Sequence, residues 1–229
     1  MRPKWRHLLF LHWPLSPETV QKMLPDGLEI DTFEGRAYIG LVPFTMSEVR
    51  PHFVPDLGKV GHFYENFPEL NVRTYVRRGG VRGVWFFSLD AASSLAVVAA
   101  RLWFGLPYFK ARMRLQARGD KRRFWLRRLW PRPQTAICSA RYRVGGAGAA
   151  AQNGSLEQFL VERYVLYSRK NGQLFRGRVH HAPYEIQRVE LHSLRETCVA
   201  AAGFERPNQA PHAIYSRGVD VEVWKLETC

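Results

Sequence analysis

The sequence has little cysteine. Its three cysteines, Cys138, Cys198 and Cys229, are an odd number, and none of them forms a C-x-x-C pair. A disulfide framework or a zinc site needs several cysteines at short, defined spacings, so both are disfavoured. A reducing compartment fits this usage, and we expect the protein to be cytoplasmic.

Long hydrophobic runs are also missing. The segment "SSLAVVAARLWFGLPYF" is broken by Arg101 and is too polar to span a bilayer. The opening "MRPKWRHLLFLHWPL" places basic residues before a short apolar run, but His12 and Pro14 interrupt it and no small-residue cleavage site follows. We therefore expect a soluble protein with no membrane partner.

Several chemical motifs are absent. The chain contains no G-x-S-x-G, no G-x-G-x-x-G after a strand and no Walker-type phosphate loop. His180 and His181 are adjacent, and neighbouring residues of a strand point to opposite faces, so they cannot easily share one ion. We expect neither a cofactor nor a metal.

Acidic residues are scarce, which gives a formal net charge of +14. Between residues 101 and 143 there are 13 lysines and arginines against one acid, Asp120. Such a segment attracts polyanions, an anionic membrane surface or small anions, or it is simply a solvated face. Phe124, Trp125 and Trp130 alternate with its arginines as in single-strand nucleic-acid binders, although an ordinary edge strand has the same pattern.

Strand patterns dominate what is present. The 229 residues are 46% hydrophobic and fit one domain spanning residues 1–229. Gly79-Gly80 and Asn171-Gly172 each lie between two strand-like runs and predict hairpins. We predict an α+β, mainly β fold: an antiparallel barrel-like sheet flanked by short helices.

The first hairpin carries a polar face. Its predicted register places Glu69, Asn71 and Arg73 together with Ser88 and Asp90. In a barrel this face can line a ligand cavity, where Arg73 can hold a carboxylate; in an open sheet it is the solvent side.

The second hairpin offers another polar group. A two-residue turn pairs Glu162 with His181, Tyr164 with Val179 and Leu166 with Gly177, so Glu162, Tyr164 and His181 point inward. A carboxylate beside an imidazole favours the charged histidine and suits acid or base chemistry. The alternative is a structural hydrogen-bonded pair.

Seven blocks cover nearly the whole chain: "FLHWPLSPETVQKMLPDGLEIDTFEGRAYIGLVPF", "FPELNVRTYV", "GVWFFSLDA", "FGLPYFKARM", "SLEQFLVERYVLYS", "HHAPYEIQ" and "YSRGVDVEVW". Together and in this order they resemble the YqjF-like family, a domain of unknown function related to acetoacetate decarboxylase. The resemblance implies a cone-shaped antiparallel barrel with an interior cavity.

The resemblance also bears on the chemistry. The decarboxylases have a glutamate in an aromatic-x-Glu motif, which Glu69 matches, and a Gly-x-Pro followed by two lysines, the first of which forms a Schiff base. Here Gly105-Leu106-Pro107 is followed by Tyr108 and Phe109, and the nearest lysine is Lys110. Lys110 is then a displaced amine, a cation lining the cavity or a surface residue.

We therefore expect a cavity that receives a small carbonyl or carboxylate compound, with or without catalysis. The alternative is an interaction module that uses residues 101–143 on a nucleic acid or another polyanion, and a third possibility is a homo-oligomeric structural protein. The candidate catalytic residues are Glu69, Glu162, His181 and Lys110, and the candidate ligand-binding residues are Asn71, Arg73, Tyr108 and Tyr164.

Overall fold

The fold of the chain is described by a computed structural model over residues 2–48, 66–94, 97–98, 101, 105–131 and 135–229. This part of the chain is mainly β. Its strands are β1 (Lys4–Leu15), β2 (Glu29–Ile30), β3 (Ala37–Ser47), β4 (Phe67–Arg78), β5 (Val81–Ala91), β6 (Tyr108–Arg118), β7 (Lys121–Trp130), β8 (Ile137–Ala150), β9 (Val165–Lys170), β10 (Gln173–His181), β11 (Glu185–Glu196) and β12 (His212–Thr228). Its helices are α1 (Pro17–Gln21), α2 (Leu156–Val161) and α3 (Cys198–Ala201).

Local signals in the sequence place several of these elements. The side chain of Ser16 accepts a hydrogen bond from the amide of Thr19 and caps α1, while Ser155 caps α2 in the same way through Gln158. Both predicted two-residue turns are present, because β4 pairs with β5 across Gly79-Gly80 and β9 pairs with β10 across Asn171-Gly172. All four turn residues have positive φ, as such turns require.

The strands form one sheet that closes on itself in two circuits. In one circuit β4, β5, β9, β10, β12, β1 and β3 pair in that order, and β3 returns to β4. In the other, β6, β7, β8 and β11 take the place of β9 and β10 between β5 and β12. Five strands, β12, β1, β3, β4 and β5, therefore belong to both circuits.

The five strands that belong to both circuits, β12, β1, β3, β4 and β5, form what we call the shared wall. Two apolar cores lie on its two faces. Along β1, Leu9, Leu11 and Trp13 face the first core, whereas Leu8 and Phe10 face the second. The first core continues onto β6, β7, β8 and α3, and the second onto β10, β12 and α2. Side chains alternate in direction along a strand, so an apolar run such as β1 fills both cores at once.

Three details differ from the sequence prediction. Pairing is not purely antiparallel, because β5 is parallel to β9 near Val84 and to β6 near Leu89. The low-complexity run "GGAGAAAQNG" at residues 145–154 predicts a loop, but residues 145–150 belong to β8, which pairs with β11. The strand β7 lies between β6 and β8 rather than at an edge.

Other predictions fall partly outside the described residues. The segment "AASSLAVVAARLWFG" predicts a helix over residues 91–105, and the Pro-, Gly- and His-rich residues 45–68 predict a long irregular connection. Both segments include stretches beyond the described ranges. Within those ranges, none of the helices has both the length and the apolar character needed to cross a bilayer.

Candidate functional site

A row of polar side chains on β4 faces the second core. Glu69, Asn71, Arg73 and Tyr75 occupy alternate positions of β4 and share one face. Glu69, Asn71 and Tyr75 are buried, and Arg73 is half-buried. Polar side chains are rarely placed in a core without a specific partner, so we call these four residues the polar row and treat it as the candidate site.

Glu69 is a buried carboxyl group without a cationic partner among the described residues. The hydroxyl of Tyr108, on β6, donates to it at 3.1 and 3.2 Å from its two oxygens. Burial raises the pKa of Glu69 to about 8, although the Tyr108 hydrogen bond opposes the shift. Glu69 is consequently mostly protonated at neutral pH and can offer its proton to a ligand.

Arg73 brings a positive charge into the same face. Its Nη2 donates to the carbonyl oxygen of Leu160 in α2 at 2.9 Å and to the hydroxyl of Tyr75 at 3.3 Å. Its guanidinium lies 5.4 Å from the ring centre of Phe10. The helix and the aromatic rings thus fix the orientation of the guanidinium.

His12, on β1, adjoins Arg73 across a glycine. The register places His12 opposite Gly40 and Gly40 opposite Arg73. A Cβ on Gly40 would lie 2.7 Å from Nε2 of His12, so only glycine leaves room for the imidazole. The close packing of His12 and Arg73 therefore depends on Gly40.

The proton on His12 follows from its hydrogen bonds. The hydroxyl of Tyr75 donates to the carbonyl oxygen of Leu160 at 2.7 Å and lies 2.6 Å from Nε2 of His12. Because that hydroxyl has one proton, Nε2 of His12 is the donor to it. Burial holds the pKa of His12 well below 6.5, so the ring is neutral and its Nδ1 carries a lone pair.

Three buried polar atoms of the polar row and His12 have no hydrogen-bond partner among the described residues. They are Oδ1 of Asn71, Nε of Arg73 and Nδ1 of His12. Buried polar groups are nearly always hydrogen-bonded in native proteins, because an unpaired one costs about 1–3 kcal/mol. Two acceptors and one donor therefore remain available to a bound polar molecule.

Ser88 and Asp90, the β5 residues that the sequence placed beside Glu69, lie on the opposite side of the sheet. A register shift at Phe87 pairs Ser88 with Val72 and Asp90 with Leu70, so both face the first core. Their predicted place beside Glu69 is wrong, because the extra residue of the bulge reverses the alternation. Asp90 is instead held by Arg128, which donates to its two oxygens, each at 2.7 Å.

Lys110 lies on the same side of the sheet as Glu69. Glu69 pairs with Ala91 on β5, and Ala91 pairs with Lys110 on β6, so the three form one row across the sheet. Lys110 is half-buried, and its ammonium group donates to the carbonyl oxygen of Ala92. Tyr108 belongs to the neighbouring row, through Leu89 and Asn71, and its hydroxyl reaches Glu69 from there.

The second predicted constellation is only partly assembled. Oε1 of Glu162 accepts from the amide of Tyr184 at 2.9 Å, and its Oε2 accepts from the hydroxyl of Tyr164, which is 39% exposed rather than interior. His181 is buried, and its Nδ1 donates to the carbonyl oxygen of Ala182 at 2.8 Å rather than to Glu162. Burial lowers the pKa of His181, so the charged form expected from the sequence is not favoured.

Aromatic rings connect His181 to the polar row. The ring of Tyr184 lies 4.6 Å from that of His181 and 5.5 Å from that of Phe10, which is the ring beneath Arg73. Sequence reasoning missed His12 and Tyr184. The alternation of β4 implied Tyr75, but nothing local linked His12 to a partner 63 positions away.

Metal-ligating side chains do not gather in this part of the molecule. Within the described ranges there is no group of three or more His, Cys, Asp or Glu side chains arranged to hold an ion. Cys138, Cys198 and Cys229 are all free thiols, and burial raises the pKa of Cys198.

Comparison with known proteins identifies relatives of the whole chain. Residues 2–220 match the model of the DUF2071 family, described as an uncharacterized conserved protein. The protein YqjF of Bacillus subtilis, also described as uncharacterized, is 36% identical over 226 residues, which cover 99% of this chain and 91% of YqjF.

Solved structures share the fold at low identity. The acetoacetate decarboxylase of Legionella pneumophila superposes with a TM-score of 0.65 at 12% identity and covers 100% of this chain and 87% of its own. The enduracididine biosynthesis enzyme MppR, complexed with pyruvate, superposes with a TM-score of 0.66 at 11% identity, covering 99% and 89%. These likenesses establish an acetoacetate-decarboxylase-like fold.

Proposed function

The chain belongs to the DUF2071 family, and from that premise and its fold we propose that the polar row binds a small compound carrying a carboxylate or a carbonyl group. We also infer that the circuit of β4, β5, β9, β10, β12, β1 and β3 curls into the cone-shaped barrel that the sequence suggested. The closed pairing of these strands supports that shape.

One observation carries the proposal: a neutral carboxyl group and a guanidinium group share one buried face. Arg73 provides the positive charge and an Nε that has no partner among the described residues, which suit a carboxylate. Protonated Glu69 provides a hydrogen-bond donor for a carbonyl oxygen. Oδ1 of Asn71, which is likewise unpaired within the described part of the chain, accepts from a hydroxyl group or a water molecule. MppR, a structure of the same fold, is described as complexed with pyruvate, which carries both a carboxylate and a carbonyl group.

A lysine Schiff base is not part of this proposal. Tyr108 follows Gly105-Leu106-Pro107 where the decarboxylases have their reactive lysine, and its hydroxyl donates to Glu69. The ammonium group of Lys110 is engaged by the carbonyl of Ala92. If the site is catalytic, Glu69 is the candidate general acid and the neutral His12 and His181 are candidate bases.

Calorimetric titration with pyruvate tests the proposal. We expect binding near pH 6.5 that weakens as the pH rises through about 8, because ionised Glu69 repels the carboxylate. Glu69→Gln should keep the binding and lose this pH dependence. Arg73→Gln should weaken pyruvate binding by about a hundredfold, as expected when a charge-assisted contact is lost.

Two controls make the result decisive. Pyruvamide keeps the carbonyl and lacks the charge, so Arg73→Gln should affect it far less than pyruvate. Arg114→Gln removes an equal charge from an exposed position of β6 and should change neither affinity. Pyruvate binding that is equally strong in wild type and Arg73→Gln, or no binding in a folded wild-type protein, would refute a carboxylate site at Arg73.

A further inference from the structure

The outer face of β6, β7, β8 and β11 carries a grid of basic side chains. The register aligns Arg114, Trp125, Ser139 and Arg195 in one row across the four strands. The neighbouring rows contain Arg123 beside Arg141 and Lys121 beside Arg143. The residues of this basic face are Arg112, Arg114, Arg118, Lys121, Arg123, Trp125, Arg127, Arg141, Arg143 and Arg195, and all of them are exposed.

Most of these charges are not neutralised within the molecule. Arg143 is paired with Asp120 at 3.1 Å and lies 3.7 Å from Glu190. The remaining basic side chains of the face form no ion pair with a described residue. Like charges on directly opposite strand positions repel each other and destabilise the fold. The same charges attract an anionic partner, whose binding would relieve the repulsion.

The basic face is not flat but contains a cleft. An open cleft of about 900 Å³ lies at the end of the face where a tight turn joins β6 to β7, beside the middle of β8. It is lined by Arg118, Lys121, Arg123, Arg141, Arg143 and His192. Anionic groups can therefore be surrounded by several cations there instead of meeting them one at a time.

Trp125 stands inside the grid. It is 39% exposed, with Arg123 and Arg127 two positions away along β7 and Arg114 opposite on β6. An exposed indole ring surrounded by guanidinium groups offers a stacking surface for a base while its neighbours contact the flanking phosphates. Single-stranded nucleic acid presents this alternation of flat rings and phosphates, because its bases are free to leave the stack.

The composition of the face favours this partner over others. All its cations except Lys121 are arginines, whose planar fork matches phosphate oxygens in pairs. A second copy of the chain would bring the same sign of charge against itself. Trp125 is enclosed by arginines rather than joined to a continuous apolar strip of the kind that enters a bilayer. We propose that the basic face binds single-stranded nucleic acid, with Trp125 stacking on a base.

Fluorescence anisotropy with a labelled oligothymidylate of about 15 nucleotides tests this proposal. We expect affinity that falls steeply with salt, and Trp125→Ala should lower it about tenfold without changing the salt slope. The double variant Arg123→Gln, Arg141→Gln should also weaken binding and reduce the slope of log K against log salt by about 1.4, which corresponds to two phosphate contacts.

Matched variants separate this face from the general basicity of the protein. Trp224→Ala removes a comparably exposed indole, and Arg217→Gln removes an exposed charge, both from β12. Neither should alter oligonucleotide affinity. Each substituted residue is exposed, and thermal unfolding of each variant verifies that the fold is retained.

Three outcomes would overturn the proposal. The first is no oligonucleotide binding at about 50 mM salt, where phosphate contacts are strong. The second is binding to heparin or duplex DNA as tight as to the single strand and unaffected by Trp125→Ala, which would indicate charge attraction alone. The third is binding to vesicles containing phosphatidylserine without oligonucleotide binding, which would assign the face to a membrane surface.

Discussion

At the scale of single residues, Glu69 determines how much folding stability the polar row costs and which protonation state the row offers to a ligand. A carboxyl group without a cationic partner in a core is easier to bury when it is protonated, and its pKa of about 8 expresses that preference. Its proton is therefore held by the folded chain at pH values where the unfolded chain has lost it. The stability of the protein should depend on pH because of this one group.

The sign of that dependence can be tested with Glu69→Gln. Between about pH 4.5 and 8 the folded state binds a proton that the unfolded state does not, so Glu69 destabilises the wild type progressively as the pH rises through this window. The difference in unfolding free energy between Glu69→Gln and wild type should therefore shift in favour of the variant by about 3–5 kcal/mol from pH 5 to pH 8.5. Urea unfolding at the two pH values measures it.

The exposed Glu205 provides the control for this experiment. Glu205→Gln should differ from wild type by the same amount at both pH values. If Glu69→Gln also shows a constant difference, Glu69 is ionised in the folded protein, and its role as a neutral hydrogen-bond donor is wrong.

Strand alternation made part of this residue-scale arrangement predictable. An alternating strand after "FPE" places Glu69, Asn71 and Arg73 on one face, and the structure has them there. His12 was not predictable, because it sits in an apolar run and meets Tyr75 only after β1, β3 and β4 have paired. Contacts that depend on three strands leave no signal in any one of them.

At the scale of elements, β5 determines which polar groups reach the candidate site. Its bulge at Phe87 turns Ser88 and Asp90 toward the first core, and the sequence gives no warning of the extra residue. Asp90 then bonds Arg128 of β7, reaching past β6, with both side chains almost fully buried. This buried pair fixes the position of the end of β5 relative to β7.

A double-mutant cycle tests that link. Asp90→Leu and Arg128→Met should each cost about 3–5 kcal/mol, because each leaves one charge buried and unpaired. The double variant should cost much less than the sum of the two, since an apolar pair replaces an ionic one. Urea unfolding of the four proteins gives the coupling energy.

The surface pair Arg176 and Glu227, 3.2 Å apart, is the reference for this cycle. Its coupling should stay below about 1 kcal/mol, as is usual for exposed ion pairs. Additive effects of Asp90→Leu and Arg128→Met would show that the two groups do not stabilise each other and that their ion pair does not fix the end of β5 relative to β7.

At the scale of the whole molecule, the shared wall joins the two cores. Strands β12, β1, β3, β4 and β5 contribute side chains to both, so the loss of these strands would open both circuits and expose both cores. Hydrophobic periodicity predicted a mainly β chain, but it did not reveal two circuits. Residues buried on both faces lack the alternation that tells one side of a strand from the other.

A shared wall predicts a single unfolding transition. Tryptophan fluorescence and far-ultraviolet circular dichroism should give the same urea midpoint, because Trp13 in the first core and the strands of both circuits lose their structure together. Separate midpoints would mean that the circuits unfold independently and that the chain comprises two domains.

The burial of the shared wall also limits which strands can carry charged surface residues. Every residue of β1, β3 and β4 except Arg77 is buried or half-buried, so these strands have few positions open to water. Surface charge must therefore be supplied by the outlying strands, and β6 to β8 carry much of it. Substitutions on the exposed face of β6 to β8 can change the amount and even the sign of its charge without changing the polar row of β4. Relatives with the same polar row therefore need not bind the same partner on this outer face.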